Sequence, residues 1–128
     1  MLLAIFFLLG SAFTLTAAGQ LTGMCSMQSN GCSVPVPPVI APLITGACDR
    51  QVQCYNCGSM YGITQRTCDE DFSDNLEEAC DDVPDAVESM CSVVGAAHRQ
   101  NTVYMPPGSN PPYCSQPWVM ACLREVDD

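Results

Sequence analysis

Apolar and polar positions divide the chain into segments of different character. Leu2 to Leu9 is an unbroken apolar run, and small residues follow at Ala17, Ala18 and Gly19. A run of this kind closed by small residues predicts a secretory signal over residues 1–19, with a mature chain starting at Gly19 or Gln20. The run is shorter than the roughly 20 apolar residues a bilayer span requires, so no membrane insertion is expected. In the next segment, 20–47, the apolar positions from Val34 to Ile44 are interleaved with Pro35, Pro37, Pro38 and Pro42. Prolines this dense predict an extended arm packed along a core. Residues 48–128 then form a cysteine-rich domain. Its opening, QVQCYNCGSMYGITQRTC, alternates in polarity around Tyr55, Tyr61 and Ile63, with Gly58 and Gly62 as breaks, which predicts short strands or a hairpin.

The period changes after Asp69. Asp74 and Glu77 have capping-box spacing, and Leu76, Ala79, Cys80 and Val83 fall on one helical face. Val87, Met90, Cys91 and Val94 repeat that pattern behind Pro84, which suits a first helical position, and Gly95 closes it. Two short helices around Pro84 follow. The valines of SVVGAA and NTVYM predict strands from Ser92 onward, on either side of a turn at His98 to Gln100. Beyond a loop fixed by two proline pairs, Trp118, Val119 and Met120 are placed against the core. The expected fold is therefore small, disulfide-rich and loop-rich, mixing short β-strands with one or two short helices.

Cysteine content strengthens the disulfide reading. The ten cysteines, Cys25, Cys32, Cys48, Cys54, Cys57, Cys68, Cys80, Cys91, Cys114 and Cys122, all follow the signal, and about five bridges are expected in a secreted, extracellular protein. Each bridge stabilises by about 2–4 kcal/mol. Spacing leaves the pairing open. The Cys54–Cys57 pair reads as structural, each member bonding elsewhere, because the βαβ context of a redox motif is missing. Charge narrows the partners: fourteen carboxylates face four arginines and no lysine, a net charge of -10. Nucleic acid and anionic membranes, which recruit basic residues, are excluded as partners.

Candidate chemistry is sparse. His98 is the single histidine, and beside Arg99 in a turn it reads as a solvated loop residue. No metalloprotease, nucleophile-elbow or phosphate-loop motif occurs, so the sequence predicts no enzyme and no cofactor. No Asn lies in a glycosylation sequon. Calcium loops started at Asp69 or Asp71 fail at the glycine and terminal glutamate positions, so no dedicated metal site is encoded. Weak Ca²⁺ association at Asp69, Asp71, Asp74, Glu77, Glu78, Asp81 and Asp82 is the remaining cation reading, against a solvated helix face. Tyr104, Tyr113 and Trp118 are the aromatic anchor candidates for a protein partner.

One segment resembles a known family. Cys54, Tyr55, Cys57, Cys68, Asp69 and Phe72, in VQCYNCGSMYGITQRTCDEDF, resemble the opening of three-finger domains of the urokinase-receptor and lymphocyte-antigen type. The adjacent cysteine pair and the cysteine–asparagine that end such domains do not occur here. The resemblance implies a protein-binding role. Together these readings predict a secreted, non-enzymatic, disulfide-stapled protein that binds an extracellular protein. The alternatives are an acidic extracellular or biomineral matrix component associating with Ca²⁺ or a mineral surface, and a venom or defence polypeptide acting on a receptor.

Overall fold

A computed structural model describes Cys25, Met27 and residues 31–127 apart from Asp82, with side chains described as far as Arg124. The signal segment, its cleavage position and Asp82 lie outside the described residues.

Pro42 sits in the first turn of helix α1, Ala41–Cys57, where its missing N–H costs no helical hydrogen bond. Ile44, Cys48, Gln51 and Tyr55 recur every three or four residues on the buried face of α1. A 3₁₀ turn, Gly58–Tyr61, follows and closes at Gly62, whose φ of 76° suits a residue without a Cβ. Helix α2, Gln65–Asp81, starts behind Thr64, whose hydroxyl accepts the Thr67 N–H at 3.2 Å, an N-cap bond. Cys68, Phe72 and Cys80 are its buried residues, and Leu76 is half-buried between them. Helix α3, Asp85–Gln100, follows Pro84 and buries Cys91, Val94, Gly95 and His98. An extended segment and a second 3₁₀ turn, Pro112–Ser115, lead to α4, Pro117–Asp127.

Five disulfides tie these elements together: Cys25–Cys122, Cys32–Cys48, Cys54–Cys68, Cys57–Cys114 and Cys80–Cys91. The core has two parts. One gathers Tyr55, Ile63, Trp118, Val119 and Leu123 around the sulfurs of the α1, α2 and α4 bridges. The other sets Ile40 and Ile44 against Val94 and the Cys80–Cys91 bridge, with Val34 and Val36 of the proline-rich arm packed on it.

The mixed-β expectation is corrected: among the described residues there are four α-helices and two 3₁₀ turns, and no strand. The alternating QVQCYNC is the second half of α1, and SVVGAA lies inside α3. NTVYM is extended, but it pairs with no strand; its Met105 N–H donates to the Tyr55 carbonyl at 2.9 Å instead. Alternation misled because α1 is buried around much of its circumference, so Gln51 and Gln53 lie inside along with its apolar residues. Asp74 and Glu77 lie within α2 and cap nothing, since the helix begins at Gln65. Pro84 is the residue before α3 and not its first. The residues resembling a three-finger opening lie on α1, the turn after it and α2.

Candidate functional site

The residues with chemical potential converge on a buried polar seam along α1. Asp49, Gln51 and Gln53 project from α1 into the interior, and α3 contributes His98; these are the buried polar and charged residues among those described. His98 is 0% exposed, which corrects its expected place in a solvated turn: it sits on the inner face of the last turn of α3.

The His98 ring is held from the proline-rich arm. Its Nδ1 accepts the Ser33 backbone N–H at 2.8 Å, and the Ser33 hydroxyl lies 3.0 Å from the same nitrogen. That hydroxyl also donates to the His98 carbonyl at 3.3 Å. An sp² ring nitrogen has one in-plane lone pair, and a backbone N–H here occupies it. Nδ1 is thereby unprotonated, and it is not free to take a proton from Ser33. The serine–histidine contact is a loop clamp and lacks the geometry of a nucleophile–base pair. Burial pushes the imidazole below its usual range, opposed by the Cys48 backbone and the Asp49 charge. Asp49 holds the same arm, accepting the Gly31 N–H at 2.6 Å.

Further along α1 the seam continues through side-chain amides and phenols. The Gln51 amide donates to Thr102 Oγ1 at 3.0 Å, just past the end of α3. Tyr113 receives the Asn56 amide at 2.9 Å and donates to Gln53 Oε1 at 2.8 Å. Gln51 Oε1 and Gln53 Nε2 are buried without a partner, an arrangement that costs about 1–3 kcal/mol per group. Tyr55 donates to the Asp69 carboxylate at 2.5 Å, linking α1 to α2. Burial raises the Tyr55 phenol above its usual range, and the Asp69 bond adds to the effect.

The three aromatic anchor candidates are packed against the first core. Tyr113 and Trp118 stack with centroids 5.5 Å apart, and Trp118 donates its indole N–H to Gln116 Oε1 at 2.6 Å. Tyr104 meets Tyr55 edge-on at 5.7 Å and donates to the Ile63 carbonyl.

The acidic candidates separate. Asp69 serves Tyr55, and Asp71 accepts the Arg50 guanidinium at 2.6 Å and the Asn75 amide at 3.1 Å. Burial raises the Asp71 carboxyl although Arg50 pulls it down. Asp74, Glu77, Glu78 and Asp81 are exposed along α2. Glu77 and Asp81 face Glu88 across a shallow groove of about 190 Å³ between α2 and α3. The one set of metal-type ligands close together among the described residues is Cys32, Cys48 and His98. Its two sulfurs are bonded to each other, so it offers no thiolate to a metal.

Ser33, Asp49, Gln51 and Gln53 were not singled out by their sequence context. Pro42 followed by no further proline until Pro84 is the signal for the helix that buries three of them.

No family model matches the chain, and no solved structure matches it. Curated relatives do. The chain is 36% identical to conodipine-M alpha chain of Conus magus over 58 residues, covering 44% of this chain and 75% of that one. It is 36% identical to conodipine-P1 and conodipine-P2 of Conus purpurascens over 56 residues, covering 44% of this chain and 32% of each of theirs. The chain thus spans about a third of the length of the conodipine-P proteins it matches. This kinship overturns the expectation of a chain that is not an enzyme, since the conodipines are venom phospholipase A2 enzymes. Together with the five disulfides, it points to an extracellular protein. No helix among the described residues is long and apolar enough to cross a membrane.

Proposed function

Because the chain belongs to the conodipine family, we propose that it is a secreted venom polypeptide of the phospholipase A2 kind, acting on phospholipid at a membrane surface. The observation that carries this reading is the 36% identity spread over 75% of the conodipine-M alpha chain. The geometry is compatible with it: bridges Cys54–Cys68 and Cys57–Cys114 hold α1 rigidly against α2 and the second 3₁₀ turn. A scaffold of this kind limits the motion of any group it presents to substrate.

Charge selects among lipids. A net charge of -10 repels anionic headgroups, so the substrate class is a zwitterionic phospholipid. His98 in its clamped form serves the arm, as its Nδ1 lone pair is taken. The ionisable groups at the α1–α2 seam are Asp69, bonded to Tyr55, and Asp71, bonded to Arg50.

A second reading is favoured by that enclosed histidine: a venom polypeptide that acts by docking on a receptor. One experiment separates the two. The disulfide-intact mature protein is incubated with zwitterionic or anionic vesicles carrying a labelled sn-2 acyl chain, with and without millimolar Ca²⁺. Release of labelled fatty acid, faster from zwitterionic vesicles, supports the proposal. Absence of release from either vesicle under both conditions overturns it and leaves the receptor reading.

A further inference from the structure

We propose that the arm from Gly31 to Val36 is an acid-opened latch, closed by neutral His98 and released when that imidazole takes a proton. The latch has three fastenings. The Ser33 N–H donates to His98 Nδ1 at 2.8 Å, the Ser33 hydroxyl donates to the His98 carbonyl at 3.3 Å, and the Gly31 N–H donates to Asp49 at 2.6 Å. The first depends on the protonation state. A protonated Nδ1 is a donor, so Ser33 N–H and Nδ1–H would point at each other across a hydrogen-bond distance, on a ring that is itself fully buried although Ser33 is exposed.

No other fastening relieves that conflict. The Ser33 hydroxyl can rotate to accept from Nδ1–H, but the backbone N–H cannot turn away without moving the arm. The groups facing the ring from each neighbouring element are few. From α1 comes the Asp49 carboxylate, which favours the imidazolium, while the Arg50 guanidinium is engaged with Asp71. From α2 comes the uncharged Phe72 ring, 5.5 Å away and tilted by 51°. On α3 itself the adjacent Arg99 side chain is exposed. Burial outweighs both the Cys48 backbone hydrogen bond and the Asp49 charge, so the imidazole stays neutral while the latch is closed and titrates below its ordinary range.

The release is local and reversible. The Cys32–Cys48 bridge keeps the arm covalently attached to α1, so a freed arm swings about that sulfur link. Val34 and Val36 pack on the core formed by Ile40, Ile44 and Val94. Opening therefore uncovers an apolar surface that is closed at neutral pH.

The linkage sets the size of the effect. With one proton taken up on opening, the opening constant rises about tenfold per pH unit between the open-state pKa, about 6.5, and the lower closed-state value. Hydrogen exchange on the full mature protein, corrected for intrinsic rates, reads this directly. From pH 7 to pH 5, protection of the Ser33 and Gly31 amides should fall below pH 6.5, by up to about tenfold per unit, while Val119 and Leu123 amides in α4 keep theirs. Binding of an apolar dye should rise over the same range and reverse on neutralisation. His98→Asn keeps an acceptor near Nδ1 but does not titrate, so its protection should be flat. Should that variant fail to fold, Asp49→Asn decides the matter: its amide oxygen can still accept the Gly31 N–H, and without the charge that favours the imidazolium in the closed state the rise should keep its onset and run on to lower pH before levelling off. Unchanged Ser33 protection down to pH 5 overturns the latch. So does the same slope in His98→Asn, or a rise in Asp49→Asn that levels off at the same pH as in the parent protein or at a higher one.

Discussion

The contact between α2 and α3 turns on a single hydrogen atom. Gly95 faces Leu76, and a Cβ built at residue 95 would lie 2.1 Å from Leu76 Cδ2, 3.0 Å from Cδ1 and 3.1 Å from Cγ. Carbon atoms in contact settle at about 3.5–4.0 Å, so Gly95→Ala forces the whole isobutyl group to move by about 1.5 Å. Overpacking of this kind costs about 1–3 kcal/mol. Against it stands the helix preference of alanine over glycine, about 1 kcal/mol in an interior position. Gly95→Ala alone should therefore destabilise by about 0–2 kcal/mol.

The single value is a poor test, since two opposing terms nearly cancel; the double-mutant cycle removes one of them. In a Leu76→Ala background the colliding atoms are absent, and Gly95→Ala should then stabilise by about 1 kcal/mol. The coupling between the two positions should be about 1–3 kcal/mol, within the range for residues in contact. Urea denaturation of the four proteins followed by helical ellipticity, with disulfides intact, measures it. Effects that add to within about 0.5 kcal/mol would refute the claim that glycine sets the spacing of this helix pair.

Two further outcomes follow from the same frame. Replacing both cysteines of Cys25–Cys122, 97 residues apart, should cost about 2 kcal/mol more than replacing those of Cys80–Cys91, 11 residues apart, because the unfolded chain regains a much larger loop; thermal melts in which the two doubles are equally stable would show that the other bridges already restrict that loop. Gly62→Ala should cost about 1 kcal/mol from its φ of +76° alone, since no atom stands within 4 Å of the added Cβ, and Gly62→Asn should cost less; an unchanged unfolding midpoint for Gly62→Ala would contradict this.

Legibility in the sequence varied with how each helix is buried. The spacing of Leu76, Ala79 and Cys80 shows through because the opposite side of α2 is exposed and carboxylate-rich, so the polarity contrast follows the helical period, whereas Val83, expected on the same face, lies past the end of α2. Helix α1 has no such contrast. Gln51 and Gln53 are as buried as Cys54 and Tyr55, and the near-alternation of polar and apolar letters there mimics a strand. The Val93–Val94 pair pulled α3 toward a strand in the same way, although packing against Leu76 and the Cys80–Cys91 bridge outweighs β-propensity there. The place of His98 was illegible for a related reason: its partner Ser33 is 65 residues away, and no local pattern announces a bond of that range.

The α2–α3 pair also bears on the latch. Moving up α2 by four residues and down α3 by three or four, successive contacts are the Cys80–Cys91 bridge, Leu76 against Gly95, and Phe72 against His98. These are rungs of one antiparallel pair, and the last rung holds the imidazole that fastens Ser33. A Cβ at residue 95 acts one rung away from that imidazole. If α3 yields to Gly95→Ala by shifting away from α2, the His98 ring shifts with it, and Ser33 protection should weaken even at neutral pH. If Leu76 yields instead, turning into the shallow cavity of about 130 Å³ beside Phe72 and Arg99, Ser33 protection should be untouched while the coupling energy persists. The Ser33 amide therefore distinguishes helix movement from side-chain movement, which the stability cycle by itself does not do.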